Sequence, residues 1–122
     1  MSDLLKPSEI LKRAREIISD PLRWTKGAFA RDPEGFDLDS EEAYSADLAS
    51  CSFCSIGAVK RAMGPHASST LYELEKNTKK FLYKSVFGPH VSTASFNDSP
   101  STTHQDVMAA FDRAIAEAES SE

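Results

Sequence analysis

The hydrophobic pattern near the start of the chain is that of an amphipathic helix. Its apolar residues recur three and four positions apart and so share one side of a helix: Ile10, Leu11, Ala14, Ile17 and Ile18. This spacing predicts a helix over 9–19. Ser8 is placed to cap its first turn, and Asp20-Pro21 ends it, because the residue before a proline disfavours the helical conformation.

Two further stripes of apolar residues follow in the middle of the chain. They predict helices over 52–63 and 69–84, and each is followed by a Gly-Pro pair, which stops a helix. Ser68 or Ser69 is placed to open the second of them. Small residues in the first, such as Gly57, would allow another element to approach its backbone closely.

The last helix has the clearest signal and is predicted over 104–118. Thr103 and Asp106 have the spacing of a capping box, and the apolar residues after them keep helical periodicity. The polar residues 120–122 are expected to fray.

Shorter elements are predicted between these helices. An Asp-Pro-x-Gly turn ending at Gly35 favours a small hairpin within 27–38. Ser40 is placed to cap a short helix. Residues 89–102 are rich in Pro, Ser, Thr and Asn and are predicted to form a loop, with Val91 to Phe96 as a short edge strand.

The fold class predicted from these elements is mainly α, that is α+β with a minor hairpin, with about four helices around one core. We expect a single domain over 1–122, with its core in 8–118. The 122 residues are 40% hydrophobic and 27% charged, which is typical of a globular protein. No apolar run approaches the length of a membrane span and the first residues do not resemble a secretory signal, so a cytoplasmic protein is expected.

Charge is distributed unevenly, although the net charge is only −5. Segment 32–47 holds seven carboxylates and no base, and it is a candidate surface for a basic protein partner; simple solubility is the competing interpretation. The helix segment 76–84 carries the one candidate basic face, which is more typical of a solvated helix. Nucleic acid is therefore not expected as a partner.

Cys51 and Cys54 form a C-x-x-C pair, which raises the possibility of thiol redox chemistry at a helix N-terminus. The βαβ context of such sites is not evident, and buried cysteines usually act as small hydrophobic residues. Zinc is not expected, since the histidines His66, His90 and His104 lack finger spacing. No cofactor is expected, and without a common catalytic motif an enzyme is not favoured and catalytic residues stay unassigned.

A pocket is the remaining candidate site. The only tryptophan provides a flat ring, and carboxylate, thiol and amide groups are available to line a pocket: Trp24, Asp32, Cys54, Asn97 and Asp98. Gly27, Phe29 and Phe96 belong to the same candidate set. Structural roles are expected for three small residues: Gly27, Gly57 and Ala58. The alternative interpretation is a core tryptophan and an unrelated Asn-Asp turn.

Several of these residues fall in one longer pattern: Trp24-x-x-Gly27-Ala28-x-Ala30-x-Asp32, then Cys54-x-x-Gly57-Ala58, then Asn97-Asp98 and Thr103-His104-x-Asp106-Val107. This pattern resembles an uncharacterised family of small bacterial and phage proteins, domain of unknown function family 6197. It spans roughly 8–118 of the chain. The family often has Trp where this chain has Phe96, and Cys51 lies outside the pattern. The resemblance implies no activity, but it marks the same candidate residues.

Three functional hypotheses follow. The first is a non-enzymatic interaction or regulatory domain that docks a macromolecule through segment 32–47 or the basic face 76–84. The second is a small-molecule-binding domain or enzyme with a pocket near Trp24, Cys54 and Asn97-Asp98. The third is a thiol redox protein that uses Cys51 and Cys54.

Overall fold

A computed structural model describes residues 6–64, 69–86 and 92–122. In these ranges the elements follow in this order: α1 (Pro7–Ile17), a 3-10 turn (Pro21–Arg23), β1 (Ala30–Arg31), β2 (Asp37–Leu38), α2 (Ser40–Ala43), β3 (Ser52–Phe53), α3 (Ser55–Met63), α4 (Ser69–Lys84), α5 (Thr93–Asp98) and α6 (His104–Ser121). The predicted fold class, mainly α with a minor hairpin, is confirmed. The three short strands form one antiparallel sheet in the order β2-β1-β3.

Helix α1 lies at the centre of the helical layer and contacts α3, α4 and α6. It begins at Pro7, whose fixed φ suits the first helical position, so the prediction that Ser8 caps it is wrong. Ser8 is buried inside the first turn, where its N–H and Oγ donate to the carboxylate of Glu122 at 3.2 and 2.7 Å. This contact anchors Glu122, and α6 continues to Ser121. The prediction that residues 120–122 fray is therefore wrong.

The predicted hairpin is present, with Ala30 opposite Leu38. Strand β3 was not predicted, because the hydrophobic pattern from Ser52 was assigned wholly to a helix. Phe53 instead pairs with Ala30 and is fully buried, and the helix begins only at Ser55. Cys54 is the N-cap in an extended conformation, which ends the strand and turns the chain into α3.

Two other boundary predictions are corrected. Helix α2 is capped by Asp39 in a capping box with Glu42, not by Ser40, because this pair satisfies two orphan N–H groups reciprocally. The edge strand predicted near Phe96 is instead the short helix α5, which begins because the Ser92 side chain accepts from the N–H of Ser95. The start of that predicted segment, at Val91, and the proposed cap Ser68 lie outside the described residues.

The core is built from the apolar stripes that the sequence pattern identifies. The fully buried large side chains include Ile10, Leu11, Ile18, Phe53, Val59, Leu82, Val107 and Phe111. Helix α6 has the predicted capping box between Thr103 and Asp106. Helix α3 ends at Gly64 with φ of 83°, a conformation that glycine adopts without strain. Helices α1, α3, α4 and α6 form one layer, and the sheet and α5 lie next to α3 on one side of this layer.

Candidate functional site

A buried asparagine connects the segment after the 3-10 turn to α3 and α5. Asn97 is fully buried, and its Oδ1 accepts three hydrogen bonds: from Trp24 Nε1 at 2.7 Å, from the Ser55 N–H at 3.0 Å and from Ser55 Oγ at 2.7 Å. Three donors on one oxygen fix the side chain of Asn97 in position. Its amide therefore sets the relative positions of three chain segments.

The other half of the same amide positions a carboxylate. Asn97 Nδ2 donates to the carbonyl of Thr25 at 3.0 Å and to Asp98 Oδ1 at 2.9 Å. The N–H of Gly27 also donates to Asp98 Oδ1, at 2.9 Å. The carboxylate of Asp98 is thus held by one oxygen while the residue remains exposed to solvent.

The backbone around Phe29 packs directly on α3. The N–H of Cys54 donates to the carbonyl of Phe29 at 3.1 Å. A Cβ placed on Gly57 would lie 1.8 Å from that carbonyl oxygen, so only glycine permits this approach. Gly57 therefore has the close-packing role that the sequence indicates for the small residues of this helix.

A groove of about 320 Å³ opens where these segments meet. Its lining residues are Gly27, Ala28, Phe29, Asp37, Leu38, Cys54, Ile56, Ala94 and Asp98. Most of these side chains are apolar, and the two charged ones are both carboxylates. The groove therefore combines an apolar wall with negative charge.

The structure brings together four of the five predicted site residues. Cys54 and Asp98 line the groove, while Asn97 and Trp24 support it from behind. The Trp24 ring also lies against His104, with ring centroids 5.8 Å apart. Asp32 is elsewhere: its Oδ1 accepts from two backbone N–H groups of the hairpin turn, at Glu34 and Phe36.

Several residues of this site were not predicted. Ser55 and Thr25 bind the buried amide, and Leu38 and Ala94 form the apolar wall together with Phe29, which is a predicted pocket residue. A serine immediately after Cys54 was a detectable signal, because serines at helix starts commonly make local hydrogen bonds. Leu38 and Ala94 had no sequence signal, since single small or apolar residues are common in hairpins and short helices alike.

The environment of Cys54 differs from that of a reactive thiol. Burial raises the pKa of Cys54, and the hydrogen bond that its Sγ accepts from the N–H of Gly57 at 3.3 Å only partly opposes this effect. Cys51 is also buried, and both thiols are free. Nucleophilic and redox sites instead favour the thiolate form.

Many carboxylates of segment 32–47 have local structural roles. Asp37 pairs with the guanidinium of Arg31, and Asp39 caps α2. Asp47 accepts from the hydroxyl of Ser50 at 2.6 Å. Glu34 and Glu41 are exposed, so the segment still presents negative charge to solvent.

A second polar cluster lies between α2, α3 and α4. The ammonium group of Lys60 lies 3.1 Å from Glu75 Oε2, and Tyr44 donates its hydroxyl proton to the same carboxylate. Burial opposes ionisation of Glu75, but hydrogen bonds from Tyr44 and Lys60 and the charge of Lys60 outweigh it, so the pKa of Glu75 is lowered. Burial and the hydrogen bond to Glu75 raise the pKa of Tyr44. All three partners are satisfied, which indicates a structural link to α4.

The described ranges contain neither a metal-binding group of side chains nor a membrane-spanning helix. Within 6–64, 69–86 and 92–122, no three His, Cys, Asp or Glu side chains are grouped closely enough to hold a metal ion. In the same part of the chain, every helix is too short or too polar to cross a membrane. His66 and His90 lie outside these ranges, and His104 Nε2 is 2.7 Å from the carbonyl of Ile18.

The fold and the groove define a small helical domain with a three-stranded antiparallel sheet and an apolar groove that carries two carboxylates. The chain belongs to the family of unknown function DUF6197, whose model matches residues 3–117. The resemblance noted in the sequence is thereby confirmed. No curated protein and no solved structure shows significant similarity to the chain.

Proposed function

We propose that the protein is a non-enzymatic binding domain whose groove receives a basic segment of a protein partner. The observation that carries this proposal is the groove itself, in which the carboxylates of Asp37 and Asp98 stand beside an apolar wall. The complementary group is a cation on an apolar stem, as in a lysine or arginine side chain.

Asp98 is the stronger of the two anionic contacts. Asp37 already pairs with Arg31, which offsets its charge. Asp98 uses Oδ1 for the hydrogen bonds from Asn97 and Gly27, and within the described residues its other oxygen makes no hydrogen bond. A cation in the groove would thus meet a carboxylate that is already oriented.

The apolar wall supplies most of the expected affinity. An exposed ion pair contributes about 0–1 kcal/mol, whereas each buried methylene contributes about 0.8 kcal/mol. A lysine stem that lies against Phe29, Leu38 and Ile56 therefore adds more than its ammonium group does. The carboxylates then select the sign of the ligand's charge.

The environment of the thiols favours binding over catalysis. Burial raises the pKa of Cys54 and so disfavours the thiolate form, and the thiol serves as the cap of α3. A reducing, cytoplasmic setting is part of the proposal, because free cysteines are typical of that compartment.

The test is an amide chemical-shift titration of the full-length protein. The probe is a short amidated peptide that alternates lysine and leucine, and the matched control peptide alternates glutamate and leucine. We expect shifts centred on Gly27, Phe29, Leu38, Ala94 and Asp98 with the lysine peptide only. Shifts located elsewhere, or equal shifts with both peptides, would contradict the proposal.

A matched pair of variants checks the location. Ala94 lies on the exposed side of α5 at the groove, and Ala116 is exposed on α6 outside the groove lining. Ala94→Arg introduces bulk and positive charge into the groove and is expected to abolish the shifts, whereas Ala116→Arg is expected to leave them unchanged. Equal behaviour of the two variants would show that the groove is not the binding site.

A further inference from the structure

The outward side of α4 carries a line of lysines. Lys76, Lys80 and Lys84 recur every four residues and are all exposed. Since each residue rises 1.5 Å, successive lysines are about 6 Å apart along the helix. Tyr72 and Tyr83 are 66% and 49% exposed on the same side. We call these five residues the lysine face.

The charge of the lysine face is largely uncompensated. Lys79, beside it, pairs with Glu75, but the salt bridges among the described residues include none of the three lysines of the face. Glu73 is the one carboxylate on the exposed side of the helix. In a protein with a net charge of −5, this face is a local positive surface.

A shallow hollow of about 300 Å³ borders the lysine face. Its lining residues are Pro7, Asn77, Lys80, Phe81, Lys84, Ser121 and Glu122. Its carboxylate, that of Glu122, is already bound by Ser8. Among the described ion pairs, none joins Lys80 or Lys84 to Glu122, and both lysines are exposed to solvent.

We propose that the lysine face of one molecule docks in the groove of a second copy of this chain. The inference rests on the proposed function, because it names the basic segment that the groove receives. Each lysine of the face provides a cation on an apolar stem. The tyrosines can pack on the ring of Phe29, which lines the groove and is 37% exposed.

The two surfaces are separate within one molecule. Helix α4 packs on α1, α3 and α6, and its lysine face is turned away from them. Among the described ion pairs, none joins this face to a carboxylate of the groove. The contact is therefore between molecules and joins two different surfaces, so association proceeds head to tail.

The first measurement is sedimentation velocity of the full-length protein over a range of concentrations. We expect association beyond the dimer at low salt. Raising the salt from 30 to 300 mM is expected to weaken it by about tenfold, since screening shortens the range of the charges. A protein that stays monomeric at low salt and high concentration would overturn the inference.

Two variants then separate the surfaces. Ala94→Arg blocks the groove and keeps the lysine face, whereas the triple variant Lys76→Glu, Lys80→Glu, Lys84→Glu reverses the face and keeps the groove. Each is expected to be monomeric alone, and an equimolar mixture is expected to form a dimer and stop there. Circular dichroism checks that both are folded, and replacement of the same lysines by arginine is expected to preserve association.

The outcomes distinguish this inference from the proposed function. If the lysine peptide binds the groove but the wild type does not associate, the second copy is not the partner and the proposed function stands. If association persists in both variants, the interface lies elsewhere and the inference fails. Binding of a single-stranded oligonucleotide to the lysine face without association would likewise replace a second copy with nucleic acid as its partner.

Discussion

The close contact at Gly57 leads to a prediction for Gly57→Ala in which tertiary packing and local helix propensity change the free energy of unfolding in opposite directions. In Gly57→Ala, the new methyl group would lie 1.8 Å from the carbonyl oxygen of Phe29 and 2.8 Å from its carbonyl carbon. Both atoms belong to the backbone, so neither can move aside as a flexible side chain would. The segment before β1 must shift away from α3.

The expected free-energy change follows from three effects. Overpacking costs about 1–3 kcal/mol, and a backbone neighbour places this site at the upper end. The shift also weakens the hydrogen bond from the Cys54 N–H to Phe29, a loss of about 1 kcal/mol. Alanine regains up to about 1 kcal/mol of helix propensity over glycine. We expect Gly57→Ala to lower the free energy of unfolding by about 3 kcal/mol.

The assay is equilibrium urea unfolding followed by circular dichroism. Gly35→Ala is the comparison, because Gly35 has φ of 91° but no atom within 4 Å of the added Cβ, so only backbone strain is tested. That strain costs about 1 kcal/mol. If Gly57→Ala is as stable as the wild type, or loses no more than Gly35→Ala, the close approach of Phe29 is refuted.

Three further predictions concern buried groups. Asn97→Ala leaves the Trp24 Nε1–H and other donors unpaired, so we expect the free energy of unfolding in urea to fall by about 3 kcal/mol. The control Asn77→Ala, at an exposed position, should lower it by about 0.5 kcal/mol or less, and similar losses in both variants would contradict the network. Burial opposes ionisation of Glu75, but hydrogen bonds and nearby ammonium groups outweigh it and lower the pKa of Glu75. The stability that its carboxylate provides is therefore fully present above the unfolded pKa and is lost as the pH falls through the lower folded pKa. Urea midpoints of wild type and Glu75→Gln should therefore differ at about pH 7, and the difference should shrink as the pH falls below the unfolded pKa of Glu75; a difference independent of pH would refute the ion pair. Because burial raises the pKa of Cys54, iodoacetamide at about pH 8 should modify this thiol in urea but not in the native protein, as measured by mass spectrometry. Rapid alkylation of the native protein would instead support the hypothesis of a thiol redox protein.

The helices were predictable because each of the long ones buries one apolar stripe. The spacing of Val107, Phe111 and Ala114 identifies the buried side of α6 directly. Their ends were less predictable. Several adjacent polar residues can cap the same helix, and only tertiary contacts decide among them, as the bond from Ser8 to Glu122 shows.

The short elements were the hardest to predict. A strand of two residues, such as β3, has no periodicity to detect, and Phe53 fits a buried strand and a buried helix equally well. Helix α5 is stabilised by burial of Phe96 and Asn97 against other segments, while its composition is that of a loop. The helical conformation of α5 therefore depends on contacts with residues that are distant in sequence.

The candidate site was predicted in its polar residues and largely missed in its apolar wall, of which only Phe29 was predicted. Trp24, Asn97 and Asp98 are chemically distinctive, and the structure joins them through one amide. Asp32 carries the same functional group as Asp98 but caps the hairpin turn, a role that its Asp-Pro-x-Gly context also permitted. Only the folded structure distinguishes the role of Asp32 from that of Asp98, because the two side chains are chemically the same.

The central claim is that the groove recognises positive charge through Asp98. The most direct measurement is the dissociation constant of the lysine and leucine peptide for Asp98→Asn, which keeps a side-chain oxygen to accept from Gly27 but removes the charge. We expect binding to weaken by about three- to fivefold, the effect of one exposed ion pair. Glu117→Gln, which removes an exposed carboxylate from α6, is expected to leave the constant unchanged. Equal affinity of Asp98→Asn and the wild type would contradict the account.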